Sequence, residues 1–153
     1  MKAIFHVCMV WFGTATACFA YTVDIDYIRT QYEKAAKDKN VCETMIAELI
    51  NHVESDVHLA YLGAYQTIWA KHTLNPFAKL DTFNEGKRNI EKAVLQSSYN
   101  AEIRFVRLSV QQNSPGFLGY KDQIKQDKEF LEHHKHTINS AVVLRMVNTL
   151  IGK

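Results

Sequence analysis

Apolar residues recur at helical spacing along almost the whole of this chain. Between Asp24 and Lys37, the residues Ile25, Ile28, Tyr32 and Ala35 fall near one face of a first helix. Asn40 then reads as an N-cap, with Glu43 three residues on in a capping-box arrangement. The helix it opens carries the cleanest amphipathic stripe: Cys42, Met45, Ile46, Leu49, Ile50 and Val53. Ser55 or Asp56 caps a third helix, with Val57, Tyr61, Ala64, Tyr65, Ile68 and Trp69 on one face and Leu59 and Leu62 off it. A helix apolar on that much of its circumference belongs at the centre of a domain. Asn75-Pro76 predicts its end, because the residue before a proline avoids the α region.

A fourth helix is predicted from about Asp81 to Val94, with Phe83, Gly86, Ile90 and Ala93 in register. After a turn at Ser97–Asn100, Asn100 caps a fifth helix whose first turn holds Glu102, favourable at the positive end of the helix dipole. The run from Ile103 to Val110 has strand-like composition, yet no second strand is evident to satisfy its backbone groups, and helix is the expectation. Asn113-Ser114-Pro115-Gly116 marks a loop, after which Phe117, Leu118 and Tyr120 are expected to fold back onto the core. A sixth helix from Tyr120 to His134 and a seventh from Thr137 to Ile151 complete an all-α bundle of six or seven helices. Val143, Met146, Val147 and Leu150 give the last one its apolar edge.

The first twenty residues break this pattern. Lys2 gives a positive start, Ala3 through Phe12 an apolar stretch interrupted by His6, and Cys18-Phe19-Ala20 a small-x-Ala cleavage site. That run is too short to span a hydrocarbon core of about 30 Å, so a cleaved export signal at residues 1–20 is expected, and a single domain at 21–153. Ala15-Thr16-Ala17-Cys18 offers a second route: it has the small residues of a lipobox without the usual aliphatic residue at its first position. Lipid modification of Cys18 would tether the domain to a membrane surface; otherwise no span remains once the signal is removed.

Charge narrows the partners. The full chain holds 18 Lys and Arg against 16 Asp and Glu, and the leader contributes only Lys2, so the remainder is close to neutral. That argues against nucleic acid, whose binders carry a clear basic excess. Cleavage after Ala20 leaves Cys42 alone, without a partner for an intramolecular disulfide, on an apolar stripe where a buried thiol acts as a small hydrophobe.

Two glycines inside helices each cost about 1 kcal/mol relative to alanine and need a reason, the usual one being close helix–helix approach. Leu59-x-x-Leu62-Gly63, followed by Gly86-x-x-x-Ile90-x-x-Ala93, resembles the core pattern of a tetratricopeptide repeat, and Ala93–Glu102 resembles the turn between repeats. Ser98 stands where that family favours proline, and the link Thr73–Lys79 is longer than a standard one. The resemblance covers one degenerate repeat, about residues 59–102, and implies a compact tetratricopeptide-like bundle that binds a protein or peptide. Asn75–Leu80, Glu102–Ser109 and Pro115–Tyr120 also look like segments of small exported bacterial proteins without an assigned activity. That likeness implies a place in the periplasm or cell envelope, with extracellular release as an alternative.

Catalytic signatures are missing from the sequence: there is no Gly-x-Ser-x-Gly elbow, phosphate loop, Cys-x-x-Cys or His-Glu-x-x-His. His133, His134 and His136 cluster at a predicted helix end, where histidine complements the negative terminus. His52, His58 and His72 are the candidates for a rival reading, a small histidine-dependent metal-binding protein or enzyme; no metal or cofactor is expected on the main one. Arg104 and Arg107 share a helix face between apolar residues, to pair with Glu91 or Asp81 or to hold a peptide carboxylate. The expectation is a non-catalytic interaction or scaffold module. Its contact surface is a groove between the third and fifth helices, flanked by the Asn75–Lys79 and Asn113–Gly119 segments. The candidate binding residues are Tyr65, Trp69, Phe77, Arg104, Arg107 and Phe117.

Overall fold

A computed structural model describes residues 22–152. The leader, its cleavage site and Cys18 lie outside the described residues. The described chain is all-α: α1 (Ile25–Ala35), α2 (Lys39–Ile50), α3 (Asp56–His72), α4 (Pro76–Gln96), α5 (Ala101–Asn113), α6 (Ile124–His134) and α7 (Ala141–Ile151). Short 3-10 turns follow α5 at Gly116–Leu118 and α6 at Lys135–Thr137. The strand-like run Ile103–Val110 is helix, its β-branched residues buried on several sides rather than paired in a ladder.

Local chemistry starts most helices. Asp24, Asp38, Ser55, Asn75, Asn100 and Ser140 each accept a hydrogen bond from a backbone N–H of the first turn, an arrangement worth about 1 kcal/mol per cap. Two starts differ from expectation. The cap of α2 is Asp38, which accepts from the Asn40 and Val41 amides, so Asn40 is already inside the helix. Asn75-Pro76 opens α4 instead of merely closing α3: the Asn75 side chain accepts from Phe77 and Ala78, and Pro76 occupies the first helical position, where its missing N–H costs nothing. Helix α4 thus begins five residues earlier than the sequence predicts, and α3 stops at His72. At the other end of the chain, α6 starts at Ile124 and α7 at Ala141, each a few residues later than expected.

Helix α3 is the axle of the bundle. Twelve of its residues are buried, and it packs against α1, α2, α4 and α5. Its closest neighbour is α4, and the two helical glycines explain how close. A β-carbon added at Gly63 would lie 2.5 Å from the Gly86 carbonyl oxygen, and one added at Gly86 would collide with the Gly63 carbonyl. Backbone meets backbone there, which only glycine allows. One contiguous core, with contributions from all seven helices, runs along this axle. Among the described residues no helix is long and apolar enough to cross a membrane.

Candidate functional site

The C-terminal halves of α1, α3, α5 and α7 converge at one end of the bundle with the N-terminal half of α4. They do not close on one another. A cleft of about 1050 Å³ opens between them, at or above the upper end of the usual 300–1,000 Å³ for small-molecule pockets. Its floor is Tyr32 from α1, Ile68 from α3, Phe83 from α4, Phe105 and Val110 from α5, and Met146 from α7. Pro76, Lys79 and Leu80 form one rim, and Asn113 to Leu118 another. The cleft therefore borders α3 and α5 together with α1, α4 and α7, beside the two segments expected to flank a groove between the third and fifth helices.

The hydroxyl groups on the walls are already engaged within the protein. The Tyr32 and Ser109 hydroxyls bond each other at 3.0 Å. Thr67, Ser114 and Thr149 donate to the carbonyls of Ala64, Val110 and Arg145 one turn back, and the Asn113 amide donates to Ser109. Burial pushes the Tyr32 hydroxyl up to about 12 despite the opposing bond to Ser109, so it stays protonated at neutral pH. The interior is apolar in effect.

The rim is different. Leu74 to Leu80 is exposed throughout, with Leu74 96% and Phe77 81% accessible, and Phe117 is 87% accessible on the facing side. Phe117 sits in the 3-10 turn that Gly119 terminates, at a φ of 58° that a side chain would strain. That turn returns Tyr120 to the core while leaving Phe117 outside it, so only part of the Phe117–Tyr120 segment folds back as expected. Among the described residues, the charged ones lining the cleft are Glu33, Lys37, Lys71 and Lys79. Glu33 accepts from the Arg145 guanidinium, while the three lysines make no ion pair among the described residues.

Of the six residues singled out from sequence, Phe117 lines the cleft, and Phe77 stands one turn before its rim residue Leu80. The other four lie elsewhere. Tyr65 is fully buried and donates to the Ile28 carbonyl at 2.6 Å. Trp69 is half-buried beneath the Lys39 ammonium, 5.1 Å from its ring centre. Arg107 forms a two-pronged pair with Asp127, at 2.7 and 2.8 Å, and bonds Glu91 at 3.0 Å. Arg104 bonds the same Asp127 at 2.7 Å and covers the face of Phe130.

Asp127 is completely buried and Glu91 also accepts from Tyr120. Burial works against the Arg107 charge, yet the Asp127 and Glu91 carboxylates outweigh it and hold its pKa above the ordinary value. Burial and the Glu91 bond likewise raise Tyr120. The Arg104/Arg107 pair is thus bound to carboxylates from its own chain: Glu91, as the sequence suggested, and Asp127, which it did not, in place of Asp81.

Of the remaining candidates, His58, His72, His133, His134 and Cys42 bond within the fold. His58 Nε2 donates to the Val23 carbonyl at 3.2 Å while Nδ1 meets the Ser55 hydroxyl at 2.8 Å. His72 Nε2 donates to the Ala35 carbonyl at 3.0 Å, pinning the end of α1. His133 and His134 back-bond to carbonyls one turn earlier, and His134 stacks on Phe130. Among the described residues no group of three His, Cys, Asp or Glu side chains is placed to hold a metal ion. Cys42 is buried against the Tyr65 carbonyl, and burial with the Glu43 charge pushes its thiol up to about 12, far from a reactive thiolate.

The geometry defines a class: an all-α bundle with an open, apolar, basic-rimmed cleft at one end. No family model matches the chain, and no curated protein or solved structure matches it.

Proposed function

We propose that this chain is an exported, non-catalytic protein-interaction module of a bacterial cell envelope, built on tetratricopeptide-like hairpins, that takes a peptide segment of its partner into the end cleft. The observation that carries this reading is the combination of a large apolar cleft with Phe77, Leu80 and Phe117 exposed around it. Contiguous exposed apolar surface of this kind marks interaction sites in otherwise polar proteins, and grooves between helices are an established mode of peptide recognition. The leader pattern of residues 1–20 supports export. The backbone contact at Gly63 and Gly86 supports the tetratricopeptide-like reading of the α3–α4 hairpin.

A photo-crosslinking residue tests the site in native cells. Introduced at Phe117, it should give discrete adducts identified by mass spectrometry; introduced at Leu95, equally exposed but at the far end of α4, it should give none of them. Identical adducts at both positions, or none at Phe117, would remove the cleft as the contact surface. The same mass spectra report the mature N-terminus, where Tyr21 as first residue excludes an acylated Cys18.

A further inference from the structure

We infer that the occupant of the end cleft is an acidic amphipathic peptide, whose large apolar side chains fill the floor while flanking Asp or Glu carboxylates meet Lys37, Lys71 and Lys79. This rests on the cleft being the interaction surface, and it adds the chemistry of the ligand. Three observations converge on it.

The floor offers few polar donors, because its hydroxyl protons and one Asn113 amide N–H are already bonded within the protein. Recognition inside the cleft is therefore by apolar volume and shape. Apolar surface also continues past the floor to Leu80 and Phe117 on separate rims, with exposed Phe77 one turn before Leu80. A single acyl chain filling the floor would leave those rims wet, whereas a peptide with several large side chains covers floor and rim together.

Charge fixes the sign of what flanks those side chains. Glu33, the acidic residue lining the cleft among the described residues, is neutralised by Arg145, so the three lysines set the local field. In a domain so nearly neutral, this is a concentration of one sign at one end. Lys71 has a second explanation, since it lies in the last turn of α3 and complements the negative helix end. Lys79 has none: it stands in the first turn of α4, where no acidic side chain offsets the positive helix end. Lysine stems also lie well along apolar surface with the ammonium at the edge, which suits a ligand that is apolar in its middle and anionic at its flanks.

Fluorescence polarisation with three labelled peptides tests this on the full exported protein. The peptides share one apolar helical face and differ only in their flanking residues: glutamate, glutamine or lysine. The glutamate peptide should bind roughly tenfold tighter than the lysine peptide at low salt, and the gap should close at high salt and in the Lys71→Glu/Lys79→Glu double variant.

Equal binding of all three peptides, abolished by Leu80→Asp, would overturn the charge inference and leave the cleft reading standing. Binding of the glutamate peptide untouched by Leu80→Asp and Phe117→Asp would overturn both. Stoichiometric binding of dodecanoate with no peptide binding would replace the peptide by a lipid anion. Concentration-dependent dimerisation lost in Leu80→Asp, again without peptide binding, would replace it by a second copy of the chain.

Discussion

Two basic clusters in this molecule meet opposite fates. Arg104 and Arg107 lie on α5 among apolar neighbours, and every charge they bring is matched by Asp127 and Glu91. Lys37, Lys71 and Lys79 come from three separate segments, reach the mouth of the end cleft, and meet no carboxylate among the described residues. The first cluster is a fastener. Helix α6 has no side-chain N-cap, and Asp127 in its first turn ties it to α5 instead. The second cluster is available to something else. Burial separates the two: a guanidinium under cover requires a partner within the fold, while an ammonium at a rim is stable in water without one.

Removing the fastener gives the largest expected effect. Asp127→Ala strands two arginines beside an apolar interior, and breaking one side of a buried pair costs about 3–5 kcal/mol. That is a large share of the roughly 5–15 kcal/mol available to a domain. Urea denaturation should show the midpoint falling steeply. Glu91→Gln, at a site 35% exposed, should cost far less. A loss below about 1 kcal/mol for Asp127→Ala would mean that the arginines relax into solvent and that the two clusters are not different in kind.

High pH is the next largest perturbation, and it acts on both regions through tyrosine. Cys42 and Tyr32 have ordinary values of 9.0 and 10.0 and are each held near 12 in the folded chain. Below pH 9 both states keep these protons and stability is complete. As pH rises further the unfolded chain ionises while the folded one does not, from pH 9 to 12 for Cys42 and from pH 10 to 12 for Tyr32, so stability falls by about 1.4 kcal/mol per pH unit for each group within its own window. Tyr120 is raised as well, by burial and then by Glu91. Thermal melts between pH 8 and pH 11 should therefore drop progressively. Tyr32→Phe should remove the contribution of the cleft floor, and Tyr120→Phe that of the α5–α6 fastener. A flat profile across that range would sink the assignment of both hydroxyls as buried and protonated in the folded chain.

The class of fold was legible from residue spacing, because a stripe such as Cys42, Met45 and Leu49 reports its own burial. The start of α4 was not. Asn75-Pro76 is equally good chemistry for ending one helix and for starting the next, and the three residues Thr73–Asn75 leave room for both. That a cleft borders α3 and α5 was legible from the flanking segments, but the shares of α1, α4 and α7 in it were not. The residues that give it character were not, because an exposed lysine on a helix usually means solvent. Asp127 was hidden for the complementary reason: Lys125-Gln126-Asp127-Lys128-Glu129 reads as a water-facing run, and only arginines twenty and twenty-three residues away show that it points inward.

The smallest effect is the most discriminating between the clusters. If the rim lysines are not fastened, reversing their charge should barely move stability, and the sign should follow each residue's place on its helix. Lys79→Glu puts an acid in the first turn of α4 and should stabilise by about 0.3–1 kcal/mol. Lys71→Glu puts one in the last turn of α3 and should destabilise by a similar amount. The double variant should then melt within about 0.5 kcal/mol of the parent, as surface changes generally do. It would be as folded as the parent and changed only at the mouth of the cleft. A cost of several kcal/mol in the double variant would reveal a partner for these lysines within the chain, and the contrast with Arg104 and Arg107 would disappear.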